Sequence, residues 1–156
     1  MQEILSNLFP NVAEKFPAFW ESIGQTLEMV IRSGVIGLII GAVLGVVLVV
    51  TKKGGIFQNT VVFQIVDKLV NLFRAIPFII LLTFVMPLSR AIMGTAIGVD
   101  GAIVPLIYGM VPFFSRQMES ALSEVSPGLI EAAESMGNSK WQIIGSVYLR
   151  ESIPQI

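Results

Sequence analysis

The chain of 156 residues is 54% hydrophobic and only 13% charged, with a formal net charge of -1. Soluble domains are about 25% charged, so this composition indicates a membrane protein, and the absence of a basic bias argues against a nucleic-acid partner. With no cysteine and no histidine, disulfides, thiolate metal sites and histidine catalysis are excluded. We therefore predict an all-α membrane protein with no catalytic and no metal site.

Residues 1–22 form a predicted extracytoplasmic segment. The first 28 residues carry four glutamates against Lys15 alone, so they lack the basic start of a cleavable signal peptide. The first apolar segment is therefore expected to remain as an internal signal-anchor.

The first membrane span is predicted at about residues 25–51. Its uncharged core, SGVIGLIIGAVLGVVLVVT, is about 19 residues long, which is enough to cross a hydrocarbon layer of about 30 Å. Gly37, Gly41 and Gly45 repeat every four residues and let another helix approach closely. Packing against a helix of the same chain is favoured over a seam between two copies.

The second span is predicted at about residues 61–88, as one long helix with Asp67, Lys68 and Arg74 near its start. Pro77 lies inside it and leaves a backbone carbonyl without a helical donor. The resulting bend is therefore expected on a side that faces protein or a cavity.

The third span is predicted at about residues 99–117, after a loop at 90–100 that Gly94 and Gly98 loosen. Pro105 and Pro112 interrupt its apolar run, GAIVPLIYGMVPFFS, which is short for a span and must borrow flanking residues.

The lysines and arginines near the spans set the orientation, because they accumulate on the cytoplasmic side. One side receives Lys52, Lys53, Lys68, Arg116, Lys140 and Arg150, and the other only Lys15 and Arg90. The N-terminus is thus predicted outside and residues 118–156 in the cytoplasm.

Residues 118–156 are too polar to span a membrane but carry the signals of two short helices. These are Ser126 as a cap, Pro127 at the first helical position, Gly137 at a left-handed end, Ser139 and Gln142 as a capping box, and Pro154 as a terminator. A helix-turn-helix with its turn at Gly137 is therefore predicted.

The first of these helices carries a narrow apolar stripe, namely Leu129, Ala132, Ala133 and Met136. The stripe can dock into a groove on another protein, or it can be one side of a lid packed on the spans, and the periodicity leaves both open. Glu131 and Glu134 point elsewhere. A solvated acidic face explains them better than paired carboxylates for catalysis or metal binding.

The chain reads Glu131-Ala132-Ala133, then three residues, Gly137, nine residues and Val147-Tyr148-Leu149. This stretch resembles the EAA loop of ABC importer permeases, whose pattern is E-A-A-x3-G-x9-I-x-L-P. The stretches FRAIPFIILL, which lies upstream, and GLIEAAESMG, which includes the EAA residues, look specifically like the permease subunit of bacterial methionine importers. The similarity covers roughly residues 20–156, so residues 23–156 are identified as an ABC importer transmembrane domain.

The resemblance implies a multi-pass permease of the bacterial cytoplasmic membrane that works as a homodimer surrounded by lipid. It also implies separate ABC ATPase subunits, and these would bind the ATP because the sequence contains no glycine-rich ATP-binding loop. A further implied partner is an extracytoplasmic solute-binding protein that delivers an amino acid, methionine. The resemblance assigns Glu131 a polar contact with the ATPase, Ala132 and Ala133 a close approach to it, and Gly137 the turn.

Three alternatives stay open beside this implication. The chain could be a non-conducting membrane remnant or interaction protein that still docks the ATPase, or a permease for another amino acid. Pro77, Pro105 and Pro112 could mark helices bent around a translocation path or be ordinary packing bends. The substrate contacts are unknown.

The chain departs from the family pattern in two ways. Arg150 stands where the family has proline, so the bend expected there is weaker or displaced to Pro154. The family's permease has five spans and this chain stops where the fourth should begin, which predicts an incomplete domain, either truncated or completed by other pieces.

Overall fold

The computed structural model describes residues 15–153, so the predictions for residues 1–14 and for Pro154 lie outside it. The described part is helical. Its elements are α1 (Phe16–Thr51), α2 (Thr60–Ala75), α3 (Phe78–Met93), α4 (Gly98–Ser123), α5 (Pro127–Ser135), α6 (Lys140–Ile143), a π-helical turn (Ile144–Tyr148) and α7 (Leu149–Ser152).

Two helices, α1 and α4, are long and apolar enough to cross a membrane, and the bent pair α2 and α3 together forms a third candidate span. The predicted fold class, an all-α membrane protein with three spans followed by a helix-turn-helix, is confirmed. The first helix begins earlier than the predicted residue 25, at Phe16, because Pro17 lies in its first turn and nothing after it breaks the helix. Its 36 residues extend about 54 Å, well beyond a hydrocarbon layer.

The glycine stripe of α1 packs against α4, which confirms the prediction that its partner lies in the same chain. A Cβ built on Gly41 would lie 2.5 Å from the Cβ of Phe114, and one built on Gly45 would lie 2.6 Å from the Cβ of Met118. Real Cβ atoms do not approach so closely, so glycine is required at both positions for the helices to meet at this distance. We call this contact the α1–α4 seam.

The predicted single helix over residues 61–88 is wrong. The chain breaks between α2 and α3, whose axes differ by 111°. Ile76 and Pro77 both adopt extended backbone angles, with ψ of 122° and 134°. The physical reason is that proline disfavours the helical conformation in the residue before it and cannot donate to the preceding turn.

The connection between α3 and α4 is shorter than the predicted loop over residues 90–100, since only residues 94–97 lie outside helices. Gly94 ends α3 in the left-handed conformation, with φ of 76°. Within α4, Pro105 leaves the carbonyl of Gly101 without its helical donor. The buried hydroxyl of Ser89 on α3 donates to that carbonyl at 2.5 Å and so ties α3 to the first turn of α4.

Candidate docking site on the helix-turn-helix

Helix α5 ends as its sequence predicts. Gly137 is left-handed with φ of 80°, its N–H donates to the carbonyl of Glu134 at 2.9 Å, and the N–H of Asn138 donates to the carbonyl of Ala133 at 3.1 Å. These two bonds form a Schellman motif, which closes the open carbonyls of the helix end. The turn between the two short helices is therefore defined by backbone bonds at Gly137.

The starts of the two short helices differ. Ser139 forms the complete capping box: the N–H of Gln142 donates to its hydroxyl oxygen at 3.3 Å, and its own N–H donates to Oε1 of Gln142 at 2.8 Å. Ser126 stands at the cap position of α5, but its side chain makes no capping bond there. Pro127 occupies the first turn of α5 as predicted, and its fixed φ suits a helix start.

The helix-turn-helix is fixed to the end of the α1–α4 seam by an apolar cluster. Its buried members are Val49 on α1, Leu122 and Val125 at the end of α4, Ala133 on α5, Ile143 on α6 and Tyr148. Five described elements therefore share one core. Because interiors pack closely, this cluster holds α5 against the ends of α1 and α4.

The predicted stripe on α5 divides into two surfaces. Ala133 is 2% exposed and packs in the apolar cluster, whereas Leu129 is 47% and Met136 74% exposed, and Ala132 is exposed with them. Ala133 therefore does not share the exposed face of the other three residues, because residues four apart differ by about 40° around a helix and the buried face begins there. We call Leu129, Ala132 and Met136 the outer face of α5.

An aromatic side chain extends this apolar surface onto α6. Trp141 is 74% exposed, and its ring contacts that of Phe57 with centroids 5.2 Å apart. The ammonium of Lys140 lies over the same Phe57 ring, 5.0 Å from its centroid. Aromatic residues and methionine are enriched at protein interfaces, and Trp141 and Met136 are both exposed here.

The two carboxylates of α5 have different surroundings. Glu131 is exposed, and its carboxylate makes no hydrogen bond or ion pair within residues 15–153, so it is available to a partner. Glu134 lies near the buried Tyr148. Burial of the Tyr148 hydroxyl raises the pKa of Tyr148 above its usual value, and the negative charge of Glu134 raises this pKa further.

Sequence reasoning missed a charged cluster between α2 and α4. Arg116 on α4 forms ion pairs with Asp67 on α2 and with Glu119, and it donates to Oδ1 of Asn71 at 2.8 Å. The side chains of Arg116 and Asp67 are only 21% and 30% exposed. Both residues follow apolar runs in the predicted spans, and this position was a usable signal because charges near the membrane are costly unless paired.

The segment after Ser139 does not bend at Arg150, where the family pattern has proline. Instead the helix widens into a π-helical turn over Ile144–Tyr148 and continues through α7. Tyr148 is buried within this turn. A π-helical turn contains one residue more than an α-helical turn, and the periodicity of the sequence does not predict this insertion.

Comparison with known proteins places this geometry in a family. Residues 35–156 match the family model described as the binding-protein-dependent transport system inner membrane component. The chain is 45% identical to the D-methionine transport system permease protein MetI of Escherichia coli K12 over 141 residues, which cover 88% of this chain and 65% of that protein. The MetI protein of Yersinia pestis is 46% identical over 132 residues, covering 85% and 61%.

A solved structure shows the same arrangement of helices. The match is to an inward-facing conformation of the MetNI methionine ABC transporter, with a TM-score of 0.85 and 44% sequence identity, and it covers 89% of this chain and 66% of the matched chain. The chain thus spans about two thirds of the length of the relatives that it matches. Together, the family model, the sequence identity and the shared fold show that the chain belongs to the family of binding-protein-dependent transport system inner membrane components.

Proposed function

We propose that the chain is the permease part of an ABC importer that moves an amino acid, methionine, across the cytoplasmic membrane. Support for the substrate comes from relatives at 45% and 46% identity that are named as D-methionine permeases. ATP is bound and hydrolysed on a separate ATPase chain in this proposal. A second permease copy and an extracytoplasmic solute-binding protein complete the assembly.

The observation that carries the proposal is the helix-turn-helix with one anchored and one exposed side. Its buried residues join it to α1 and α4, while the outer face of α5 and most of Trp141 are exposed within the described chain. In the proposed mechanism the ATPase docks on this exposed side. Glu131 makes a polar contact with it, Ala132 permits close approach, and Gly137 sets the angle of the turn.

Transport requires that ATP favour one conformation of the permease over another, because a ligand that binds two states equally shifts neither. The closing ATPase subunits move α5, and the apolar cluster transmits this movement to the spans. Ala133 contributes through that cluster and not by touching the ATPase. The proposed orientation puts the N-terminus outside and the helix-turn-helix in the cytoplasm, following the distribution of lysine and arginine.

Reconstitution with the cognate ATPase and solute-binding protein tests the transport proposal. Proteoliposomes are expected to accumulate labelled D- or L-methionine only when ATP is present, with lysine as a control substrate. Docking of the ATPase without uptake would contradict transport and favour a non-conducting interaction protein. Uptake of lysine but not methionine would contradict the proposed substrate.

Substitution of the turn glycine tests the docking role. Gly137→Val places a β-branched residue at a φ of 80°, where it is strained although no atom lies within 4 Å. Gly145→Val is the matched control, since Gly145 also has open space around it but no positive φ. We expect Gly137→Val alone to reduce co-purification of the ATPase, and equal retention by both variants would argue against the turn's role.

A further inference from the structure

An open cavity with both apolar and polar lining lies where α1 leaves the membrane, on the side that carries the helix-turn-helix. Its volume is about 550 Å³, and its lining residues are Thr51, Lys52, Lys53, Gln58, Thr60, Phe63 and Gln64. Pockets for small ligands have volumes of about 300–1,000 Å³. The cavity therefore has room for a headgroup-sized molecule between the end of α1 and the start of α2.

The cavity carries two positive charges and no negative one among its lining residues. Neither Lys52 nor Lys53 forms an ion pair within residues 15–153. The ammonium of Lys52 donates to the hydroxyl oxygen of Ser123 at 3.0 Å, which positions it, while that of Lys53 makes no such bond. An anion is the chemical complement of this lining.

Neutral donors add to the two ammonium groups. The Oε1 atom of Gln58 accepts from the N–H of Gly54 at 3.1 Å, so the amide NH₂ of Gln58 remains as a donor. The N-terminus of α2 is not available, because Asn59 accepts from the N–H groups of Val61 and Val62 at 3.2 Å each. Recognition of an anion must therefore come from side chains of the cavity.

The position of the cavity at the membrane surface indicates which kind of anion it can bind. The uncharged run of α1 ends at Thr51, so Lys52 and Lys53 are the first charges at the membrane surface. Phe63 supplies an apolar wall beside them. Basic pockets between membrane helices at this depth match the phosphates of anionic lipids. A zwitterionic lipid fits less well, because the cavity offers no carboxylate for its cationic group.

We propose that this cavity binds the phosphodiester headgroup of an anionic phospholipid, such as phosphatidylglycerol. The proposal requires only that the chain lies in a membrane and does not depend on methionine transport. Lys53 and Lys52 pair with the phosphate, Gln58, Thr60 and Gln64 surround it, and Phe63 contacts the glycerol end of the acyl chains.

The test measures phosphatidylglycerol binding to the full chain in phosphatidylcholine nanodiscs and counts the retained lipids by native mass spectrometry. We expect Lys53→Gln to weaken binding about fivefold, which is the effect of one surface charge near anionic lipid. Gln64→Glu introduces repulsion without removing a lysine and is expected to weaken binding similarly. Lys68→Gln is the matched control and is expected to leave binding unchanged, since Lys68 does not line the cavity.

Two results would overturn the proposal. If Lys53→Gln and Lys68→Gln weakened lipid binding equally, the lipid would be attracted to the whole basic surface and not bound at a specific site. Displacement of the lipid by inorganic phosphate or glycerol phosphate at matched concentration would assign the cavity to a soluble anion. Because Gln64→Glu keeps both lysines, it tests the site even if Lys53→Gln fails to fold.

Discussion

The α1–α4 seam and the break between α2 and α3 show two opposite ways of arranging membrane helices. At the seam, glycines bring two continuous helices so close that a single Cβ would clash. At the break, the chain turns by 111° and a cavity of about 240 Å³ opens beside Arg74 and Phe78. The comparison teaches that α1 and α4 form a close-packed frame, whereas α2 and α3 form a bent element with open space beside it.

The two regions also differ in what they connect. The seam ends in the apolar cluster that anchors the helix-turn-helix. The bent pair is held to the frame by a second apolar cluster, in which Leu81 and Val85 of α3 pack with Val104 of α4, and also by the Asp67–Arg116 ion pair and the hydrogen bond from Ser89 to Gly101. Among the described residues, the apolar cluster of the helix-turn-helix includes none from α2 or α3, so a force applied at α5 reaches the frame first.

The largest predicted effect is at the seam. Gly41→Ala places a methyl group against the backbone and Cβ of α4, which cannot give way as a flexible side chain could. We expect a loss of about 3 kcal/mol in the free energy of unfolding, at the upper end of overpacking effects. Gly34→Ala, which meets nothing within 4 Å, is the control and is expected to be neutral or slightly stabilising. Unfolding in detergent measures both, and equal effects would refute the close contact.

An intermediate effect is predicted for the ion pair that joins the bent pair to the frame. Asp67→Asn leaves the largely enclosed Arg116 with Glu119 as its remaining carboxylate. We expect a loss of about 1–2 kcal/mol, since removing one partner of a partly buried pair leaves a poorly solvated charge.

The exposed ion pair at the other end of the seam supplies the control for Asp67→Asn. Asp100→Asn breaks the pair between Asp100 and Arg32, whose side chains are 55% and 42% exposed, and should cost less stability than Asp67→Asn because water screens exposed ion pairs. A larger effect at Asp100 than at Asp67 would contradict the claim that the enclosed ion pair of Asp67 helps to hold the bent pair to the frame.

The smallest predicted effect is a pH dependence of the helix-turn-helix. Because the pKa of Tyr148 is raised in the folded state, the folded protein holds this proton more tightly than the unfolded chain does. Stability is thus fully present below the unfolded pKa of about 10 and is lost as the pH rises through the folded value. Limited proteolysis of residues 127–153 should accelerate above pH 10, and Tyr148→Phe should remove the alkaline increase.

Local signals predicted local structure well. The capping box at Ser139 and the left-handed Gly137 depend on neighbouring residues, so the sequence shows them directly. The glycine repeat of α1 predicted a close helix contact but could not identify α4 as the partner. Pro77 predicted a bend, yet the angle of 111° depends on packing against α4, which one helix does not encode.

The candidate site was predicted in position but not in detail. Ala132 and Ala133 are equivalent by residue type and by periodicity, and only the position of the core separates them. The burial of Tyr148 depends on a π-helical turn that periodicity does not reveal. The ATPase, substrate and orientation remain predictions that rest on resemblance and charge distribution.

The most direct test of the account is co-purification of the cognate ATPase with Ala132→Asp. Ala132 lies on the exposed outer face, so the substitution should leave the unfolding temperature unchanged while it places a buried charge in the docked interface. We predict at least a tenfold loss of ATPase retention. Retention equal to that of the unsubstituted protein, at equal stability, would contradict the claim that the outer face of α5 docks the ATPase.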